Sequence, residues 1–152
     1  MEGRHLIAEG TYEGLAWVSW ARQDQPREGD LLSMIRISDA SGRILHGGGT
    51  GGRPLDPGQL LKISSGGSDE GPRVLLGRVH PDIRRLAVTT GDGDELEVPL
   101  YDQPDIPGVR FASLLLARDV VLDSCAGFGA DGQELERLSL KFQQGQWESR
   151  RR

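Results

Sequence analysis

At 152 residues the chain has the size of one ordinary domain, long enough to bury roughly two-thirds of its unfolded surface in a single core. Hydrophobic residues make up 36% of it, against 22 glycines and 8 prolines, the balance of many short strands joined by many turns. A formal net charge of −5 with a pI near 5.2 removes any bulk attraction to phosphate backbones or anionic lipid, so neither nucleic acid nor membrane is an expected partner.

Taken in chain order, Leu6 to Ala8 and Leu15 to Ala21 read as two paired strands around Gly10-Thr11-Tyr12-Glu13-Gly14, because aromatic and β-branched residues favour extended backbone. Gln23 to Asp30 is a polar loop, and Leu32, Met34, Ile35 and Ile37 mark a third strand that ends at the turn Asp39-Ala40-Ser41-Gly42. Arg43 to His46 forms its hairpin return. Gly47 to Gly58 and Ser64 to Pro72 are glycine-rich loops, the first expected to be mobile because few side chains offset the entropy of ordering it. Between them Leu60 to Ile63 is a short strand or turn.

Arg73 to Val79 reads as a buried strand. Leu86, Val88, Leu96 and Val98 then alternate with polar partners around Gly91-Asp92-Gly93, which supplies the positive-φ positions of a tight hairpin. A single register places those four on one buried face. Pro104 and Pro107 exclude a central strand over Tyr101 to Gly108. Val109 to Ala117 and Val120 to Ala126 are apolar strands, and after the turn at Asp131-Gly132 the alternation of Leu138, Leu140 and Phe142 marks a last one. The expected organisation is one β-sandwich domain over 1–147 with a charged, disordered tail over 148–152.

The segments Gly10 to Gly14 leading to Trp17, Gly77-Arg78-Val79-His80-Pro81-Asp82, the Gly-Asp-Gly hairpin, Gly108-Val109-Arg110-Phe111 and Asp131-Gly132-Gln133-Glu134-Leu135 occur in an order that resembles a group of uncharacterised actinobacterial β-sandwich proteins. The resemblance covers most of the chain. It implies a sandwich fold and brings no catalytic residue with it.

Several chemistries can be weighed from the residues alone. Gly47 to Gly52 formally satisfies G-x-G-x-x-G, but a dinucleotide loop must open a helix, and Arg53-Pro54-Leu55-Asp56-Pro57-Gly58 cannot form one. Cys125 as a nucleophile needs a base beside it, and His5, His46 and His80 lie on distant segments. One cysteine and three scattered histidines do not compose a zinc site, and Asp92, Asp94 and Glu95 miss the calcium-loop pattern. No cofactor or metal is therefore expected.

The segment before Glu9 is too short and too acidic for a signal-peptide core, no apolar run is long enough to span a bilayer, and Cys125 has no disulfide partner. A cytoplasmic location is expected.

The sequence thus points to an all-β, two-sheet antiparallel sandwich of immunoglobulin-like or fibronectin-like layout with long glycine-rich loops. Its expected role is that of a non-catalytic interaction or regulatory module with a protein partner. Trp17 and Trp20 fall on opposite faces of a regular strand, and with Gly49, Thr50 and Arg53 they make the candidate binding surface. One rival reading is a small-ligand or carbohydrate binder using an exposed Trp. The other is a hydrolase built on Cys125 or an acid pair.

Overall fold

The computed structural model describes residues 3–67 and 71–140. Among these, twelve strands and no helix are found, arranged as three four-stranded antiparallel sheets. Sheet A is a meander of β1 (His5–Tyr12), β2 (Leu15–Gln23), β3 (Leu31–Ser38) and β4 (Ile44–Thr50) in chain order. Sheet B runs β5 (Leu61–Gly67), β6 (Arg73–Val79), β10 (Arg110–Leu116), β9 (Leu100–Tyr101). Sheet C runs β12 (Glu134–Ser139), β11 (Leu122–Phe128), β7 (Arg85–Thr90), β8 (Glu95–Val98).

Sheet B is the middle layer, and β6 shows why. Every residue of this strand is buried, which a strand can satisfy only if both of its faces are covered. Leu75 and Val79 pack with Leu61, Ile63, Ala112 and Leu116 of sheet B against Leu86, Val88, Val98, Leu122 and Cys125 of sheet C. On the opposite face Val74, Leu76 and Leu115 pack against Ile35 and Ile37 of sheet A. A smaller cluster joins Ala21 and Leu31 of sheet A to Ile106, Val109 and Phe111. The chain passes from sheet C to sheet B at Pro99, between β8 and β9, where a residue without a backbone donor interrupts the ladder and lets the strand change layers.

The hairpin of β7 and β8 has the expected register, Leu86 opposite Val98 and Val88 opposite Leu96, and all four belong to or pack against the core between sheets B and C. The all-β antiparallel class holds, but three sheets replace the two expected. The stretch 47–58 departs from the expected loop at its start, since 47–50 belong to β4, while 51–58 form no strand or helix. Gly47, Gly48 and Gly49 pair with Arg36, Ile35 and Met34 as the outer strand of sheet A, so hydrogen-bond pairing overrides the low strand propensity of glycine. Ser64 to Gly67 likewise extend β5 by pairing with Leu76, Leu75, Val74 and Arg73. The expected tail at 148–152, Phe142 and the domain limit at 147 lie outside the described residues.

Candidate functional site

Period-two alternation along β2 splits the two tryptophans. Trp17 lies in register between Gly10 and Ile37 and packs against the core between sheets A and B. Gly10 makes room for it: a Cβ there would stand 3.0 Å from the indole nitrogen. Trp20, in register with Leu6 and Met34, belongs to none of the three core clusters. It lies on the outer face of sheet A.

Along that face one cross-strand row reads Leu6, Trp20, Met34, Gly49, and the next reads Glu9, Val18, Arg36, Gly47. Leu6 is 53% exposed, as is Ile44 at 57% opposite Ser38. Arg4 and Arg36 occupy the diagonal positions to Trp20, with guanidinium carbons 4.5 Å and 5.7 Å from its ring centroid. These are cation–π distances, so a charged group on each side restrains the indole. Arg22 is on the same face, in register with Leu32.

Of the candidate surface, the structure brings Trp20 and Gly49 into one row and sends Trp17 and Thr50 to the opposite side. The Thr50 hydroxyl is 2.9 Å from that of Ser64 on β5, a bridge between the edges of sheets A and B. Arg53 acts through its backbone: its carbonyl accepts from Arg78 at 3.0 Å and from Lys62 at 2.8 Å. Arg4, Arg36, Leu6 and Met34 were absent from the sequence-derived surface. Met34 and Arg36 follow from parity along β3, but the turn at Glu13 and Gly14 alone would set Ile7 opposite Trp20; the bulge between Leu6 and Ala8 puts Leu6 there instead.

A second feature missed in the sequence is Arg78. On the sheet-A side of β6 it is 1% exposed, and its guanidinium donates to the carbonyls of Leu31, Thr50, Gly51, Arg53 and Pro54 and to the Ser33 hydroxyl, at 2.8–3.0 Å. All six acceptors are neutral, and burial pushes its pKa down to about 10. Lys62 adds bonds to the carbonyls of Gly51 and Arg53; burial and then the neighbouring Arg78 charge lower its pKa. The glycine-rich segment after β4 is therefore wrapped around two cations. With every donor of Arg78 directed at the chain's own carbonyls and the Ser33 hydroxyl, this cluster fastens sheet A to sheet B.

Between the edges of β4 and β5 a crevice of about 250 Å³ is lined by Ile35, His46, Gly48, Ser64, Ser65 and Leu76, among others. The hydroxyls have partners within the chain: Ser64 binds Thr50 and Ser65 accepts from Arg73 at 3.1 Å. Burial lowers the pKa of His46, keeping the imidazole neutral at pH 7.

Cys125 sits opposite Val88 and Leu138, fully buried in the core between sheets B and C. Burial drives its pKa up to about 12, a rise that Arg137 only partly opposes. A thiol without solvent access and without its thiolate at neutral pH is no nucleophile. Among the described residues no group of three or more His, Cys, Asp or Glu side chains could hold a metal ion, and no helix is long and apolar enough to cross a membrane. No protein-family model, curated protein or solved structure matches the chain at a significant level.

Proposed function

We propose that the chain is a non-catalytic interaction module, acting in the cytoplasm and akin to the uncharacterised actinobacterial β-sandwich proteins, in which the outer face of sheet A receives a protein partner. In this reading sheets B and C form the sandwich of immunoglobulin-like character, and sheet A is a third layer carrying the docking face. The observation that carries the proposal is Trp20, which stands outside every core cluster beside Leu6 and Met34 and between two arginines. Trp, Met and Arg are the residue types enriched where protein interfaces concentrate their binding energy.

The carbohydrate reading is weaker on the same geometry. A sugar stacks on a free aromatic face, whereas Arg4 lies 4.5 Å from the Trp20 ring centroid. The hydrolase reading loses its nucleophile with the burial of Cys125.

A photo-crosslinking residue placed at Leu6, compared with one at Thr89 on the far side of sheet C, tests the proposal in cells of the native host. A discrete protein adduct from Leu6 alone is expected. Equal adducts from both positions, or none from Leu6, would overturn it.

A further inference from the structure

We infer that the partner meets the outer face of sheet A with an acidic, extended segment, its carboxylates on Arg4, Arg22 and Arg36 and an apolar side chain against Leu6 and Met34, at the edge of Trp20. The inference rests on the docking reading and adds the chemistry of the partner.

Charge carries it. The chain as a whole has a net charge of −5, yet among the described residues this face gathers three arginines against the single acid Glu9. None of the three has a carboxylate partner among the described residues; the Nε atoms of Arg4 and Arg22 are buried and have no hydrogen-bond acceptor. The opposite outer face, that of sheet C, is arranged differently. There Arg85 is paired with Glu95 and Glu97, and Arg137 with Glu134. The same side-chain type is neutralised at one end of the stack and left open at the other. A guanidinium presents a planar fork that suits a carboxylate, so the open face selects carboxylates, and the acid-rich far end turns an acidic partner away from itself.

Shape limits the partner further. Four strands set the face about 14 Å across, a span covered by about four or five extended residues. Gly47 leaves open space at its β4 margin, where an extended backbone can approach, while the Met34 side chain covers Gly49. The apolar row between the arginines has no use in binding a phosphate backbone. It fits a segment that carries a hydrophobic side chain among its acids.

The test uses a soluble peptide of about ten residues, glutamates with two central leucines, and a control in which glutamine replaces glutamate. Titrated into the full chain, the acidic peptide should shift the Trp20 indole resonance saturably. Its affinity should fall at least about tenfold in the Arg4→Glu/Arg36→Glu double variant and severalfold between about 50 and 300 mM salt. Thermal unfolding of the double variant at the native midpoint confirms that it is folded, and Arg4→Lys/Arg36→Lys should bind more weakly than the native chain but more tightly than the glutamate variant.

Equal affinity for the glutamine peptide overturns the inference. So does tighter binding of an oligothymidine or of phosphatidylserine vesicles than of the acidic peptide, and so does self-association of the protein alone that the double variant abolishes. A Leu6 photo-adduct that persists unchanged in the double variant also overturns it while leaving the docking reading intact. Loss of that adduct in Trp20→Ala, with no acidic-peptide binding by the native chain, separates the two in the same way.

Discussion

Replacing Arg78 by Met keeps most of the side-chain volume and removes the guanidinium, so it isolates the work of five N–H donors shared among six acceptors. A buried ion pair replaced as a pair by apolar residues can cost nothing. Here the acceptors are the backbone carbonyls of Leu31, Thr50, Gly51, Arg53 and Pro54, which no side-chain substitution removes. The carbonyls on the exposed side, those of Arg53 and Pro54, can turn to water. Those of Leu31 and the β4 end, with the Ser33 hydroxyl, lie in the interior and would be left without a donor at about 1–3 kcal/mol each. Against this stands the recovered desolvation of one cation, several kcal/mol. With three interior acceptors costing about 3–9 kcal/mol together, the expected net is a loss of about 1–4 kcal/mol, a sizeable part of a typical domain's stability, and a fall in Tm of about 3–12 °C. Arg78→Lys keeps the charge but has three donors for six acceptors, so it should fall between. Differential scanning calorimetry reads both. Hydrogen exchange adds a local signature, since the Leu31 amide donates to the Gly52 carbonyl at 2.8 Å and should lose protection before the amides of β7 and β11. A Tm for Arg78→Met within about 2 °C of the native value, with the Leu31 amide still protected, would refute the claim that this cation fastens sheet A to sheet B.

Deleting Gly48 to Gly51 removes the outer half of β4 and two of the carbonyls that bind Arg78, and should cost at least about 3 kcal/mol in chemical denaturation; an unchanged midpoint would restore the view of this stretch as a dispensable loop. Trp17→Ala should lose about 3–5 kcal/mol from the core and Trp20→Ala about 1 kcal/mol or less, a contrast that urea titration of the two variants checks and that equal losses would contradict. Val88→Asp places a charge in the core between sheets B and C and should prevent folding, as circular dichroism would report. Cys125 has a folded pKa raised to about 12 from an ordinary value of 9.0, so the unfolded state gives up its proton first. The stability it contributes is complete below about pH 9 and falls by up to about 4 kcal/mol as pH rises towards 12. Subtracting the pH profile of Cys125→Val should expose that loss, and native thiol labelling should be slow; labelling within seconds at pH 7 would contradict the burial.

The parts of this fold that were legible in the sequence were those written in side-chain alternation. Leu86, Val88, Leu96 and Val98 alternate around Gly91-Asp92-Gly93, and the hairpin forms in the register that alternation demands. The opposite faces of Trp17 and Trp20 follow from the same period. What failed was written in other terms. Gly47 to Gly49 carry no side chain and so no period, and only their pairing with β3 makes them a strand. The third sheet was hidden in β6: the run Val74-Leu75-Leu76 announces burial on both faces, but nothing local says that the second cover is sheet A rather than the protein's own loops.

Arg78 was unreadable for a related reason. Its acceptors are backbone carbonyls from 24 to 47 positions away in the chain, and a carbonyl has no sequence signature, so no spacing of residue types could have named the cluster. The outer face of sheet A is the opposite case: its β2 and β3 residues follow from the parity of Trp20, although the bulge between Leu6 and Ala8 shifts the start of β1 by one residue. The same physics separates the two. Groups that act through side chains on a regular strand leave a period in the sequence, and a binding face built on a sheet is made of such groups. A clamp that holds two sheets together mainly by carbonyls leaves only the buried arginine to mark it, and in this chain Arg78 sits between Gly77 and Val79 in a strand buried throughout.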